Sequence, residues 1–124
     1  MAYPSELKYT KDHEWVRISC DEAEVGITDF AQQQLGDVVF VELPDVGRTL
    51  TAGETFGSIE SVKAVSELFA PMGGQVVEVN SHLKQHPEIV NSDPHATWMI
   101  KVQLANPGEA AGLLDSSQYQ KLLA

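Results

Sequence analysis

Apolar residues fall along this chain in short runs, broken every few residues by Gly, Pro, Asp, Asn or Ser, a pattern that predicts brief β-strands with little helix between them. Residues 13–19 and 22–28 read as two strands joined around Ser19-Cys20-Asp21, with Trp15, Val16 and Ile18 supplying apolar bulk. Thr28 or Asp29 then caps a short helix carrying Phe30, Ala31 and Leu35. That helix stops at Gly36, where a glycine takes the left-handed conformation without steric penalty. Further strands are predicted at 38–43, ended by Pro44, at 55–59, at 64–69, ended by Pro71, at 75–79 and at 97–104. Beyond them Asn106 caps Pro107 at a first helical position. Leu113, Leu114, Leu122 and Leu123 give residues 106–124 an apolar face for one or two docked helices. The expected class is mainly β with short peripheral helices, in one domain spanning 1–124 whose first seven residues are a flexible lead-in.

An internal echo adds an arrangement to that class. Residues 36–42 align with residues 74–80 without a gap. Two like β-units, each with one apolar face to cover, imply a flattened sandwich in which each unit covers the other.

Charge and cysteine content narrow the partners. At 124 residues the chain is long enough to bury roughly 65–70% of the surface its unfolded form exposes. Eighteen Asp and Glu against eight Lys and Arg leave a formal charge of −10, which repels phosphate backbones and anionic membranes. The acidic residues are spread along the whole sequence, so they suit docking on basic patches of other proteins. Cys20 is the only cysteine, which excludes an internal disulfide and agrees with a reducing compartment. It carries no nucleophile signature, and its neighbours Asp21, Glu22 and Glu24 are not the electropositive surroundings of a reactive thiol. No secretory or transit pattern opens the chain, and no run approaches eighteen apolar residues, so the expected location is cytoplasmic.

The chemistry to be found is sparse. His82 and His86 stand four apart with His95 further along, but Pro87 follows directly and neither an H-E-x-x-H arrangement nor a cysteine partner is present. These read as surface histidines on a loop. Nucleophile elbow, phosphate-cradling loop and dinucleotide fingerprint are all missing, so the chain does not read as a stand-alone enzyme. What remains is Lys63. It falls between strand-compatible residues 55–59 and 64–69, at a hairpin tip with small Ser61 and Ala64 beside it. A lysine in a turn is ordinarily just solvated. A lysine that must enter another protein's active site, however, is well served by a tight turn that projects it from the body.

Several ordered blocks extend this reading: His13-Glu14-Trp15-Val16, residues 26–31, 35–44 and 57–65, Glu78-Val79-Asn80, and Val90-Asn91-Ser92-Asp93-Pro94. In these blocks the chain, from about Leu7 to its end, resembles the H proteins of the glycine cleavage system. The resemblance implies a lipoyl-domain-like flattened β-sandwich, a barrel-sandwich hybrid, with lipoic acid in amide linkage on Lys63. It further implies that the chain is a non-catalytic, monomeric carrier that shuttles the aminomethyl group of glycine from glycine decarboxylase to an aminomethyltransferase. Dihydrolipoamide dehydrogenase then reoxidises the arm, and a lipoate ligase or octanoyltransferase attaches it. Arm contacts are implied near Asp12, Glu14 and Glu67. Glu60 and Glu67, flanking the tip, give the modifying enzyme an acidic setting to recognise.

The chain departs from the family pattern in residues 95–98, a shorter segment without glycine, and at Met72-Gly73-Gly74; both are expected to be local loop differences. Other readings stay open at this point. They are a biotin or lipoyl carrier for another multienzyme complex, a relay passing lipoyl groups to other apo-proteins, a histidine-metal enzyme, and a plain interaction module.

Overall fold

A computed structural model of the chain describes residues 3–123. Nine strands run as β1 (Lys8–Tyr9), β2 (Glu14–Ser19), β3 (Glu22–Ile27), β4 (Val38–Glu42), β5 (Thr49–Leu50), β6 (Thr55–Ser61), β7 (Val65–Phe69), β8 (Gly74–Val79) and β9 (Ile100–Leu104). Helix α1 (Asp29–Leu35) follows β3, α2 (His82–Gln85) and α3 (Ile89–Ser92) follow β8, and a 3-10 helix (Pro107–Gly112) and α4 (Ser116–Leu123) follow β9. All strand pairs are antiparallel. They form a six-stranded sheet in the order β1-β2-β3-β9-β8-β5 and a three-stranded sheet in the order β4-β6-β7.

The sheets lie face to face because alternate residues of each are apolar. Val16, Val25, Ile27, Val76, Ile100 and Val102 of the larger sheet share a core with Val38, Val41, Phe56, Ile59 and Leu68 of the smaller. The echo seen in sequence proves to be structural. Val41 of β4 pairs with Ile59, and its counterpart Val79 of β8 pairs with Ile100; each strand also shifts register by one residue, between Val38 and Phe40 in one and between Val76 and Glu78 in the other. The same bulge at the same place bends both strands around the shared core.

A second cluster closes the end of the larger sheet, where Leu7, Tyr9, Trp15 and Tyr119 are fully buried. Tyr9 and Tyr119 stack with ring centroids 4.8 Å apart. Backbone bonds of 2.8 Å in both directions between Tyr9 and Leu114 dock the chain leading into α4. The lead-in expected to be flexible over 1–7 lies partly outside the described residues. In its described part Leu7 is buried and Tyr3 stands edge-on to Tyr9 and Tyr119, because these rings offer apolar surface the short N-terminal segment can cover.

Two expectations need correction, and two short strands were not expected. The loop read around His82 and His86 holds α2 and α3, single-turn helices too short to show a 3.6-residue period but anchored by buried Leu83 and Val90. The strand predicted over 97–104 begins at Ile100, because the Thr97 hydroxyl donates to the Asp93 carbonyl at 2.7 Å and closes a turn instead. Strands β1 and β5, two residues each, are too short for alternation to reveal. The shortened segment 95–98 is held in place by the Trp15 indole N–H, which donates to the Pro94 carbonyl at 2.9 Å.

Where β4 meets β6 the backbones approach so closely that a Cβ on Gly57 would run into the Glu42 carbonyl oxygen. Gly57→Ala is therefore expected to destabilise the fold by about 1–3 kcal/mol, as overpacking against backbone does. A urea titration with an unchanged m-value and a lower midpoint checks it; an unchanged midpoint would mean the strands can part freely.

Candidate functional site

The hairpin of β6 and β7 reverses through Val62 and Lys63, and the side chain of Ser61 holds the reversal. Its Oγ accepts from the backbone N–H of Lys63 at 3.3 Å and of Ala64 at 3.0 Å, while the Ser61 N–H donates to the Ala64 carbonyl at 2.8 Å. Sequence reasoning valued Ser61 for its small size, but the structure shows a buried hydroxyl clasping the turn. Val62 donates its N–H to the Asp37 carbonyl at 3.1 Å, which fixes the tip against the chain leaving α1. Lys63 itself is exposed, and its stem lies over Gly36: a Cβ built there would sit 3.3 Å from Lys63 Cε. Gly36 ends α1 with a φ of 80°, so the residue that stops the helix is also the one that leaves room for the lysine.

Asn91 is the residue here that sequence reasoning quoted but gave no role. Its Oδ1 accepts from the Val38 N–H at 2.8 Å, and its Nδ2 donates to the Gly36 carbonyl at 2.8 Å and to Gln32 Oε1 at 2.9 Å. One amide thus ties the end of α1 to the start of β4, directly beneath the tip. A polar residue next to buried Val90 was the available signal.

Beside the hairpin, between the two sheets, opens a cleft of about 160 Å³. Asp12, Glu14 and Glu67 all line it, together with His13 and the apolar side chains of Ile27, Leu35, Ile59 and Leu68. Ser66 in its wall stands three residues past Lys63, roughly 10 Å along β7. The acidic positions named from the resemblance therefore line one cleft, whose Glu14 end, bonded to Phe69, lies six residues or roughly 20 Å along the strand from Lys63. Glu60 is not among them: it faces outward, paired across the small sheet with Phe40 on one side and Val65 on the other.

Glu14 sits at the cleft's buried end, only 2% exposed. Burial pushes its carboxyl up to about 7. Hydrogen bonds from the Thr10 hydroxyl at 2.8 Å and the Phe69 N–H at 3.2 Å pull it back, and the nearby Asp12 charge adds to the rise. Thr10 follows β1 beside the larger sheet and Phe69 ends β7 of the smaller, so Glu14 bridges the sandwich at the site. His13 takes a φ of 69°, a left-handed conformation rare for a residue with a Cβ. It is held there by packing on Phe30, with centroids 4.6 Å apart, and by a 2.8 Å bond between its Nδ1 and the Tyr119 hydroxyl. Burial lowers the His13 pKa, with Asp12 opposing, and pushes the Tyr119 phenol up to about 12. A proton order consistent with both is Thr28 hydroxyl to Tyr119 to neutral His13, with the first contact also 2.8 Å.

The other candidates lie elsewhere. Cys20 is exposed in the β2–β3 turn. His82 and His86 are exposed, 4.8 Å apart on α2 and its cap, whereas His95 is half-buried, correcting its reading as a surface group: its Nε2 accepts from the Asp29 N–H at 3.1 Å and so caps α1. Among the described residues no group of three or more His, Cys, Asp or Glu is placed to hold a metal ion, and no helix is long and apolar enough to cross a membrane.

Two packed sheets presenting a lysine on a clasped hairpin define a β-sandwich of the carrier-domain type. The chain belongs to the glycine cleavage H-protein family, whose sequence model matches residues 7–124. It is 59% identical over 124 residues to the glycine cleavage system H protein of Koribacter versatilis, covering 100% of this chain and 96% of that one. To the corresponding protein of Bacteroides thetaiotaomicron it is 52% identical, covering 99% and 98%. The crystal structure of the Mycobacterium marinum H protein superposes with a TM-score of 0.88 at 44% identity, covering 96% of this chain and 97% of the other.

The raised Glu14 pKa has a thermodynamic consequence. The folded state holds this proton more tightly than the unfolded chain does, so its contribution to stability is full below about pH 4.5 and is lost as pH rises through 7. Glu14→Gln keeps the shape without the titration. Its stability relative to the native protein is expected to improve by about 2–3 kcal/mol between pH 4 and pH 8, measured by denaturant unfolding at both. A difference independent of pH would place the Glu14 carboxyl at its ordinary value.

Proposed function

We propose that Lys63 carries lipoic acid in amide linkage and that the chain shuttles the aminomethyl group of glycine within the glycine cleavage system, as a cytoplasmic, monomeric, non-catalytic carrier. The observation that carries this reading is the juxtaposition of an exposed, turn-borne lysine with an apolar-walled, acid-ended cleft. The residues suit the group. Ile27, Leu35, Ile59 and Leu68 match its hydrocarbon arm, and Asp12 and Glu14 match a protonated amine at its loaded end, with Glu67 only at the cleft's outer edge. When bound, the lipoyl group supplies a dithiolane that takes its cargo from glycine decarboxylase, yields it to the aminomethyltransferase and is reoxidised by dihydrolipoamide dehydrogenase.

The protein's own residues do the rest. Ser61, Asp37 and Asn91 fix the base of the arm, so the arm alone moves and samples partners at high local concentration. Glu14 and its neighbours hold the cationic cargo and exclude water from it; Trp15, expected to wall the arm, packs instead with Leu7, Tyr9 and Tyr119 in the second cluster. The acidic residues flanking the tip, Glu60 and Glu67, are offered to the lipoate ligase or octanoyltransferase, setting encounter rate more than affinity.

Lys63→Arg is expected to fold normally, within about 0.5 kcal/mol of the native protein, and to carry nothing, because a guanidinium does not form the lipoyl amide. Intact mass and glycine decarboxylation in a reconstituted system check this; retained lipoylation would assign the arm to another residue. Glu14→Ala should load but lose its aminomethyl cargo to water faster than the native protein does at the same pH. Equal lifetimes, with circular dichroism unchanged, would remove Glu14 from cargo protection.

A further inference from the structure

Among the described residues the outer face of the three-stranded sheet is left exposed, and it carries two chemically distinct zones. Nearest the tip, cross-strand register places Phe40, Glu60 and Val65 in one row, with Phe40 49% and Val65 66% exposed. Val62, 70% exposed at the tip itself, and Val39, 48% exposed at the β4 bulge, extend the apolar surface on either side. The next outward row is Glu42, Ser58 and Glu67. That row lies in an open trough of about 670 Å³ bounded also by Leu43, Pro44, Asp45 and Arg48. Arg48 is engaged with Glu54 and the Thr55 carbonyl at 3.0 and 2.9 Å, which leaves Glu42 and Glu67 as the carboxylates on the trough's sheet side. A sheet face that exposes Phe40 and Val65, with Val39 and Val62 exposed at its margins, in an otherwise strongly acidic chain is a surface with a use.

We infer that this face is the docking surface of the enzyme that attaches the lipoyl group, which covers the Phe40–Val65 row with an apolar patch and sets a Lys or Arg side chain into the Glu42–Glu67 trough. The inference rests on the carrier reading above and names the surface by which that carrier is made.

Reach selects this occupant over the enzymes of the glycine cycle. An enzyme acting on bare Nζ has only the lysine stem between its active site and the hairpin, so its surface must close on the flanks of β6 and β7. Enzymes that act on the far end of a lipoyl arm stand off by the arm's length and need not touch the sheet. Position agrees: Val62 adjoins Lys63, and Glu67 is four residues along β7, roughly 13 Å away, within one interface radius. Charge agrees as well, since an apolar row with Glu60 at its middle and Glu42 and Glu67 in the row beside it is complementary to an apolar patch that carries basic residues. The two zones then have separate jobs. The apolar row supplies affinity and the trough orients the hairpin, so that Lys63 rather than another of the chain's lysines is delivered.

The test uses full-length protein, a purified lipoate–protein ligase, lipoate and ATP, with modification followed by intact mass. Phe40→Ser combined with Val65→Thr is expected to lower kcat/KM for lipoylation at least tenfold, mainly through KM. Val65→Thr alone, which keeps strand shape, should give part of that loss. Glu42→Gln should give a smaller loss that fades as salt is raised. After prolonged incubation to full modification and reduction of the arm's disulfide with a phosphine that is then removed, the double variant should be reoxidised by dihydrolipoamide dehydrogenase and NAD+ at the native rate.

Variants modified within twofold of the native protein would overturn the inference while leaving the carrier reading intact. Equal losses in lipoylation and in reoxidation would overturn it too, by showing damage to the protein at large. A concentration-dependent dimer dissolved by the double variant would assign the face to a second copy of this chain instead. A native protein that takes no lipoyl group at all would overturn the carrier reading and this inference with it.

Discussion

Glu14 is a carboxylate between two sheets, and the rest of the site depends on its being there. Burying an ionisable group of this kind is unfavourable unless its oxygens are bonded. Here one oxygen takes the Thr10 hydroxyl and the other the Phe69 N–H, a donor from the opposite sheet. The bond to Phe69 fixes the C-terminal end of β7 against β2. The strand whose other end meets Lys63 is thereby held in register with the cleft wall. An apolar residue at position 14 would fill the space and lose both the bridge and the negative end of the cleft.

The frame around that bridge is tied together beneath one exposed side chain. The tip is clasped by Ser61 and tied through Asp37, and α1 and β4 are joined by Asn91, so the turn's position is fixed by bonds that do not involve the lysine side chain. The far wall is secured from the C-terminus: Tyr119 on α4 bonds to His13 and stacks on Tyr9, holding the left-handed residue that sets Asp12 and Glu14 on either side of the bend. The last helix is thus part of the cleft's construction although it does not line it.

Much of this was legible in sequence because it rests on local signals. Thr28 and Gly36 bound α1 where cap chemistry says they should, and alternation found β2, β3, β4, β6, β7 and β8 to within a residue or two. The 36–42 and 74–80 echo told of two like units, and the shared bulge shows how literal that likeness is. Lys63 stood out at a hairpin tip between two strand patterns, whereas Glu14, Asp12 and Glu67 came from motif resemblance. What stayed hidden has a common physical cause, since each such feature is a long-range contact made by a short or polar segment. Asn91 is 53 residues from its Val38 partner and His13 is 106 from Tyr119. The two-residue strands and one-turn helices exist only because the core accepts Leu50, Leu83 and Val90. The outward apolar row is of the same sort, because Phe40 and Val65 become neighbours only across Glu60, and sequence spacing gives no hint of it.

The account turns on Lys63 being the place where a lipoyl group is attached. The most direct measurement is intact-mass analysis, followed by peptide mapping, of the full chain after incubation with lipoate, ATP and a lipoate–protein ligase. The predicted result is a single lipoyl increment, located on the peptide that contains Lys63. An unmodified mass, or an increment on any other lysine, would contradict it.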